Sequence, residues 1–376
     1  MARSFSIKDS LVTSPIREER NLFNIDPTLL IALLMLCIVG LAVLYSATSG
    51  EIAAIARQSI RFAIGFIALF VLAQVSPKEL SRLSPWLYLI AVGLLLVVMF
   101  AGYSGKGAQR WLDLGIIRFQ PSELLKLFLP MMLAWYFSEK PLPPKLTQIF
   151  IALIIIAIPS ALVLKQPDLG TALLIAFAGL CVIFLAGLTW RWLAIFTAVS
   201  MACLPLLWYK LHDYQRQRVL TMFNPESDPL GTGYHIIQSK IAIGSGGLYG
   251  KGWLNGTQSQ LDFIPERATD FIFAVFSEEF GFMGVVLLLC GYGFIVMRGL
   301  TIAVRAQDTY SRLLAGSLSL SFFAYISVNI GMVSGLLPVV GVPLPLISYG
   351  GTSAVTILAA FGILMSIHSH RKFISH

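Results

Sequence analysis

Apolar residues in this chain come in long unbroken blocks rather than in an alternating or helical-face pattern. Ten such blocks stand out, at 28–46, 62–75, 86–101, 124–137, 148–164, 171–187, 192–209, 271–296, 313–336 and 353–367. A block of about 17–25 apolar residues is long enough to cross a bilayer as a helix. The blocks do not alternate in period two, so helices rather than a barrel are expected. The second and fourth are short and extend past a charge at one end. The pattern predicts an all-α integral membrane protein of about ten transmembrane helices. Between helices 7 and 8 it leaves one long extracytoplasmic loop, 210–269.

Composition agrees. The chain is 57% hydrophobic and 12% charged, against roughly 25% charged in soluble domains. The net charge of +8 does not call for nucleic acid, because basic residues gather in the cytoplasmic loops of membrane proteins. The four cysteines, Cys37, Cys181, Cys203 and Cys290, lie inside apolar blocks without a CxxC partner, so neither disulfide nor metal site is expected. The first 27 residues are polar and lack the cleavage site of a signal peptide, so the first block is expected to stay as an anchor.

An even number of spans puts both termini on one side. That side holds Lys78, Arg82, Lys140, Lys145, Arg191, Arg298, Arg305 and Arg312, besides the basic residues of the two termini. By the positive-inside rule it is cytoplasmic. The expected organisation is one polytopic domain over 1–376, with cytoplasmic tails at 1–27 and 368–376. Four motif-bearing segments, 102–123, 165–170, 210–270 and 337–351, then share the outer face.

The chemistry is sought there. Asp270 closes a polar loop and stands directly before the block at 271–296. Thr269 reads as a cap, which would make Asp270 a first-turn acid favoured by the helix dipole. Apolar surroundings would instead raise a carboxylate toward the working range of a general base. Glu266 and Arg267 sit one turn before, and Glu278 and Glu279 lie further along the same block in need of partners. In the segment Arg110-Trp111 to Lys126, Pro121 and Ser122 read as a helix start, with Ser122 as a possible cap. Glu123 and Lys126 share a helix face three residues apart; they fit a functional pair or a pair that only ties two helices. Asp168 lies in a tight turn, Lys165 to Gly170, as a turn residue or a substrate-facing one. The glycine-rich stretch 244–252 fails the P-loop pattern, yet its amides could cradle an anion and Lys240 could meet a phosphate. The bland alternative is a flexible loop. The segment 335–351 is apolar but broken by Pro and Gly, which fits a cavity-lining loop.

These segments together resemble the SEDS family (shape, elongation, division and sporulation), whose branches are RodA and FtsW. The resemblance runs from the first block to the last, most closely from Asn329 to Ser353. Gly-Thr-Gln-Ser-Gln-Leu at 256–261 and Pro-Glu-Arg at 265–267 look like the RodA branch. Ala268 stands where the family usually has His. The resemblance implies a peptidoglycan glycosyltransferase that polymerises lipid II and releases undecaprenyl pyrophosphate. The family's catalytic acid falls on Asp270. Arg110, Lys126 and Lys240 become candidates to hold anionic groups. Glu123, Asp168 and Glu266 become candidates to orient substrate or bind a divalent cation such as Mg2+, and Trp111 and Ser348 to contact substrate. The implied partner is a class B penicillin-binding protein. The competing expectation is a flippase for the lipid-linked precursor, since intramembrane charges and broken helix ends also fit a transporter; a third is a scaffold that positions a transpeptidase.

Overall fold

A computed structural model describes residues 24–370, apart from 106–107, 114–117, a set of positions between 189 and 212, 229–230, 262 and 264–265. The described helices are α1 (Pro27–Ala47), α2 (Ile52–Gln74), α3 (Pro77–Ala101), α4 (Pro121–Ser138), α5 (Leu146–Lys165), α6 (Leu169–Leu185), α7 (Asp213–Phe223), α8 (Thr232–Ser245), α9 (Thr257–Gln260), α10 (Ile272–Arg305), α11 (Thr309–Val333) and α12 (Thr352–Ser369). Nine of them fall on nine of the ten blocks. Seven, namely α1, α2, α3, α5, α10, α11 and α12, are long and apolar enough to cross a membrane. The block at 192–209 lies in good part outside the described residues, as do 1–23 and 371–376 of the expected tails.

Many large apolar side chains point outward. Met35, Ile67, Phe100 and Leu287 are all exposed, Phe100 at 87%. Such surface has no partner within the chain, and on helices of this length its solvent is lipid. The protein is an integral membrane protein.

Inside, the helices meet through small residues and single polar bonds. A Cβ on Gly362 would lie 2.5 Å from the Leu69 carbonyl, and one on Gly65 2.5 Å from Leu358, so α2 and α12 pack backbone to backbone. Tyr88 donates to the Ile155 carbonyl at 2.8 Å and Ser317 to that of Ala178 at 2.8 Å. The most enclosed spans are α11 and α12.

Helix α2 extends past a charge as expected, taking in Arg57, Gln58 and Arg61. Two expectations need correction. Helix α3 also begins well before its apolar block, because its polar first turn is helical too, starting on a capping box of Ser76 and Glu79. The stretch 210–269 is no plain loop: it carries α7, α8 and α9, and α8 packs on α10. The polar stretch after α3 holds a three-stranded antiparallel sheet, β1 (Tyr103–Gly105), β2 (Ala108–Asp113) and β3 (Arg118–Phe119).

Candidate active site

The four motif-bearing segments meet at one end of the bundle in their described residues. Asp270 sits there in a turn organised by the Glu266 carbonyl, which accepts from the Thr269 amide at 3.0 Å and the Phe271 amide at 3.3 Å. Glu266 adopts φ 53° to make this turn, a conformation that costs a non-glycine residue energy. The Thr269 hydroxyl bonds back to Glu266, at 2.8 Å to its carboxylate. Thr269 is therefore not the helix cap. The cap position of α10 is Phe271, with no side-chain cap bond.

Three contacts pin this turn to the chain 329–349. Asn329 Nδ2 donates to the Asp270 carbonyl at 2.9 Å and to the Val342 carbonyl at 2.7 Å. Ser348 Oγ donates to the Thr269 carbonyl at 2.5 Å and accepts from the Leu344 amide at 2.7 Å. The Tyr349 amide donates to the Ala268 carbonyl at 2.8 Å. Gly341, at φ 72°, passes beside the carboxylate: a Cβ there would lie 3.4 Å from Asp270 Oδ2. The half-buried Asp270 is thus held through its backbone.

The same Pro- and Gly-broken chain forms one wall of an open cavity between α4, α11 and α12. The cavity is apolar along most of its length, with Phe322, Phe361 and Leu364 among its walls. Glu123 and Lys126 make its polar end. They pair at 2.5 Å, and Thr356 donates to the other Glu123 oxygen at 3.4 Å. Lys126 also stands 4.8 Å from the Tyr325 ring centroid.

A second ion pair adjoins. Asp168 caps α6, accepting from the Thr171 amide at 3.1 Å. Its other oxygen faces Arg110 at 3.5 Å and Gln120 at 3.3 Å. Arg110 also donates to the carbonyls of Gln166, at 3.0 Å, and Pro167. The turn ends at Gly170, against the Val340 carbonyl. The structure therefore joins Arg110, Glu123, Lys126 and Asp168 to the chain that holds Asp270. Trp111 lies on β2, opposite Tyr103. Lys240 lies on the exposed face of α8, over Gly335 at the end of α11. Glu266 shapes the Asp270 turn, and the buried hydroxyl of Ser348 bonds only to backbone. Pro121 opens α4 as expected, but Ser122 does not cap it: its hydroxyl is buried without a hydrogen bond.

The glycine-rich stretch does not form an anion cradle. It lies in the break of α10, bonded to that helix. Sequence reasoning also passed over Arg57, Arg61 and Tyr349. Arg57 Nε donates to the Tyr349 hydroxyl at 3.1 Å, and the Arg61 guanidinium lies 4.5 Å from the Tyr349 ring centroid. This puts two cations against Tyr349, whose amide pins Ala268. Their i, i+4 spacing ahead of an apolar block was the available signal.

Glu123 and Asp168 are each paired with a cation of the chain. Among the described residues no three His, Cys, Asp or Glu side chains come together as a metal site. The donor set does not fit a resident divalent ion. Cys37, Cys181 and Cys290 are free thiols, and the side chain of Cys203 lies outside the described residues.

The chain is similar to known proteins over nearly its whole length. The family model FTSW_RODA_SPOVE, described as cell cycle protein, matches residues 25–373. The peptidoglycan glycosyltransferase MrdB of Escherichia coli (strain K12) is 54% identical over 353 residues, covering 94% of this chain and 95% of MrdB. The protein of that name in Helicobacter pylori is 40% identical over 322 residues, 84% of this chain and 83% of the relative. The rod shape determining protein RodA of Thermus thermophilus superposes with a TM-score of 0.71 at 30% identity, over 93% of this chain and 98% of that one. A chain from a peptidoglycan synthase complex that coordinates polymerization and crosslinking superposes with a TM-score of 0.81 at 34% identity, over 93% and 99%. With a match along nearly its whole length, the chain belongs to the FtsW/RodA/SpoVE family.

Proposed function

We propose that this protein is a peptidoglycan glycosyltransferase that polymerises lipid II during cell elongation. The observation that carries the reading is Asp270, fixed by its backbone at the mouth of a membrane helix and beside a long apolar cavity. The full-length similarity to MrdB supports the activity. The basic residues at the opposite end of the bundle support cytoplasmic termini and an outward-facing Asp270.

The Asp270 carboxylate takes the proton of the acceptor sugar's 4-hydroxyl, which is a poor nucleophile until that proton leaves. The oxygen attacks the anomeric carbon of the donor, a new C–O bond forms, and the bond to the pyrophosphate breaks. The electron pair leaves with undecaprenyl pyrophosphate, and the proton passes from Asp270 to water. Arg57 and Arg61 are the cations best placed to meet the charge developing on the leaving group; Lys240 is a more distant one. The cavity between α4, α11 and α12 accepts the polyprenyl chain. Glu123 with Lys126, and Arg110 with Asp168, shape its polar end, where Trp111 flanks Arg110 on β2. Glu266 and Ser348 position Asp270. No step is routed through Mg2+.

The partner is a class B penicillin-binding protein, a reading supported by the similarity to a chain of a synthase complex. The test separates an enzyme from a flippase. Purified protein with that partner, in detergent and without a membrane to cross, is given labelled lipid II. Glycan chains are expected from the wild type and none from Asp270→Ala. Chain formation by Asp270→Ala would refute the assignment.

A further inference from the structure

Helix α10 is two helices. At Gly281 the backbone takes φ 64° and ψ −166°, a conformation that excludes side chains. The break frees backbone groups that must find partners. The chain 247–252 supplies them. The Lys251 and Gly252 amides donate to the carbonyls of Glu278 and Glu279, both at 3.0 Å. The Phe282 and Met283 amides donate to the carbonyls of Gly247 and Leu248, at 2.9 and 3.1 Å. The fit is close. A Cβ on Gly250 would lie 2.1 Å from the Glu279 carbonyl oxygen, and one on Gly246 2.2 Å from that of Ser277.

A buried carboxylate locks this joint. Glu278 is 0% exposed, and its Oε1 meets Lys251 Nζ at 2.8 Å. It also accepts from the Gln258 amide at 3.0 Å, Thr257 Oγ1 at 3.1 Å and Ser245 Oγ at 3.5 Å. Donors from the end of α8, the glycine stretch and α9 thus converge on one oxygen. Glu279, next to it, is buried too and bonded by Ser46 of α1. Removing the Lys251 cation would leave a buried charge short of its counterion.

The piece of α10 before the break is short, and Ile272 to Glu279 are all buried. Asp270 sits two residues before it. That piece moves as a unit, so whatever holds Glu278 holds Asp270 about 12 Å away along the axis. We infer that Lys251 and Glu278 are positioning residues for Asp270, and that the segment 245–258 is a clasp setting where the acid stands. This rests on the catalytic reading of Asp270 above.

The test uses the full chain with its partner and the variants Lys251→Met and Lys251→Arg. Hydrogen exchange is read at 266–272 and 280–284, alongside the kinetics of chain formation and the melting temperature. Lys251→Met is expected to speed exchange in both segments. It lowers kcat on the order of a hundredfold, the scale of an ångström's misplacement of a reacting group, and leaves KM for lipid II unchanged. Lys251→Arg is expected to restore both readings. The inference is overturned if exchange at 266–272 stays protected in Lys251→Met, if kcat holds while the clasp opens, or if only KM rises. Should the wild type make no glycan, the catalytic reading fails by itself, and exchange still decides whether the clasp holds the Asp270 turn.

Discussion

Asp26 and Asp270 each stand just before a long apolar helix, one at either end of the bundle. Asp26 is bound into its helix start as the cap, whereas the cap position after Asp270 is Phe271. Asp26 is 0% exposed and caps α1, accepting from the Thr28 and Leu29 amides at 3.2 and 3.4 Å. Its other oxygen receives Arg298 Nε at 2.7 Å. Asp270 is half-buried, precedes a helix with no side-chain cap and is fixed through its carbonyl by Asn329. The first carboxylate is consumed by structure. The second stands beside Gly341, where a Cβ would lie 3.4 Å from its Oδ2, and its backbone carbonyl is held by Asn329. An acid before an apolar run is therefore ambiguous in sequence, and its hydrogen-bond partners decide its role.

The largest expected effect is at Asp270. Asp270→Asn should lower the rate of chain formation about 10²–10⁴-fold, the usual contribution of a positioned base. Asn329→Ala comes next. It removes two bonds that set the Asp270 carbonyl against Val342, and a loss on the order of tenfold to a hundredfold in kcat is expected from misplacement. Melting temperature measured on the same sample separates this from unfolding. Glu123→Gln and Lys126→Met should each weaken turnover by about tenfold or more, since each leaves a buried partner unpaired. The double variant should lose less than the product of the two, because they form one unit; a multiplicative loss would show that they act separately.

The smallest effect on turnover is expected at Asp26. Asp26→Asn should reduce stability by about 2 kcal/mol, from the lost charged hydrogen bond with Arg298, since Asn still caps, and leave the rate per folded molecule unchanged. Its pH dependence has a definite sense. Burial alone would raise this carboxyl, but the bonds from Arg298 and Thr28 outweigh it, and the pKa lies below its ordinary 3.8. The contribution is therefore complete above the ordinary value and lost as pH falls through the lowered one. Thermal unfolding of wild type and Asp26→Asn should differ at pH 6 and converge toward pH 3.

Most of the helices could be read from the sequence, because a membrane span must be apolar over its length whatever it packs against. The pairing of Glu123 with Lys126 could be read as well, being a local matter of helix spacing. Asp168 was visible as a turn residue, but not its meeting with Arg110, which comes from another connection. Arg57 and Arg61 were missed because polar first turns were counted as loop. The glycine stretch 244–252 was legible as turns and misleading as a phosphate cradle. Its glycines answer a break at Gly281 that lies beyond it in the chain. Thr269 failed as a cap because Glu266 holds its hydroxyl. The misses at Asp168 and the glycine stretch are contacts between distant segments, which spacing along the chain does not encode; those at Thr269, Arg57 and Arg61 are local.

The two aspartates give the most direct test. Asp270→Asn and Asp26→Asn, purified with the partner and matched for folded fraction, are compared in a single-turnover assay of lipid II joining. The account predicts that Asp270→Asn loses joining while keeping the wild-type melting temperature, and that Asp26→Asn melts earlier yet joins at the wild-type rate. Wild-type joining by Asp270→Asn would contradict it.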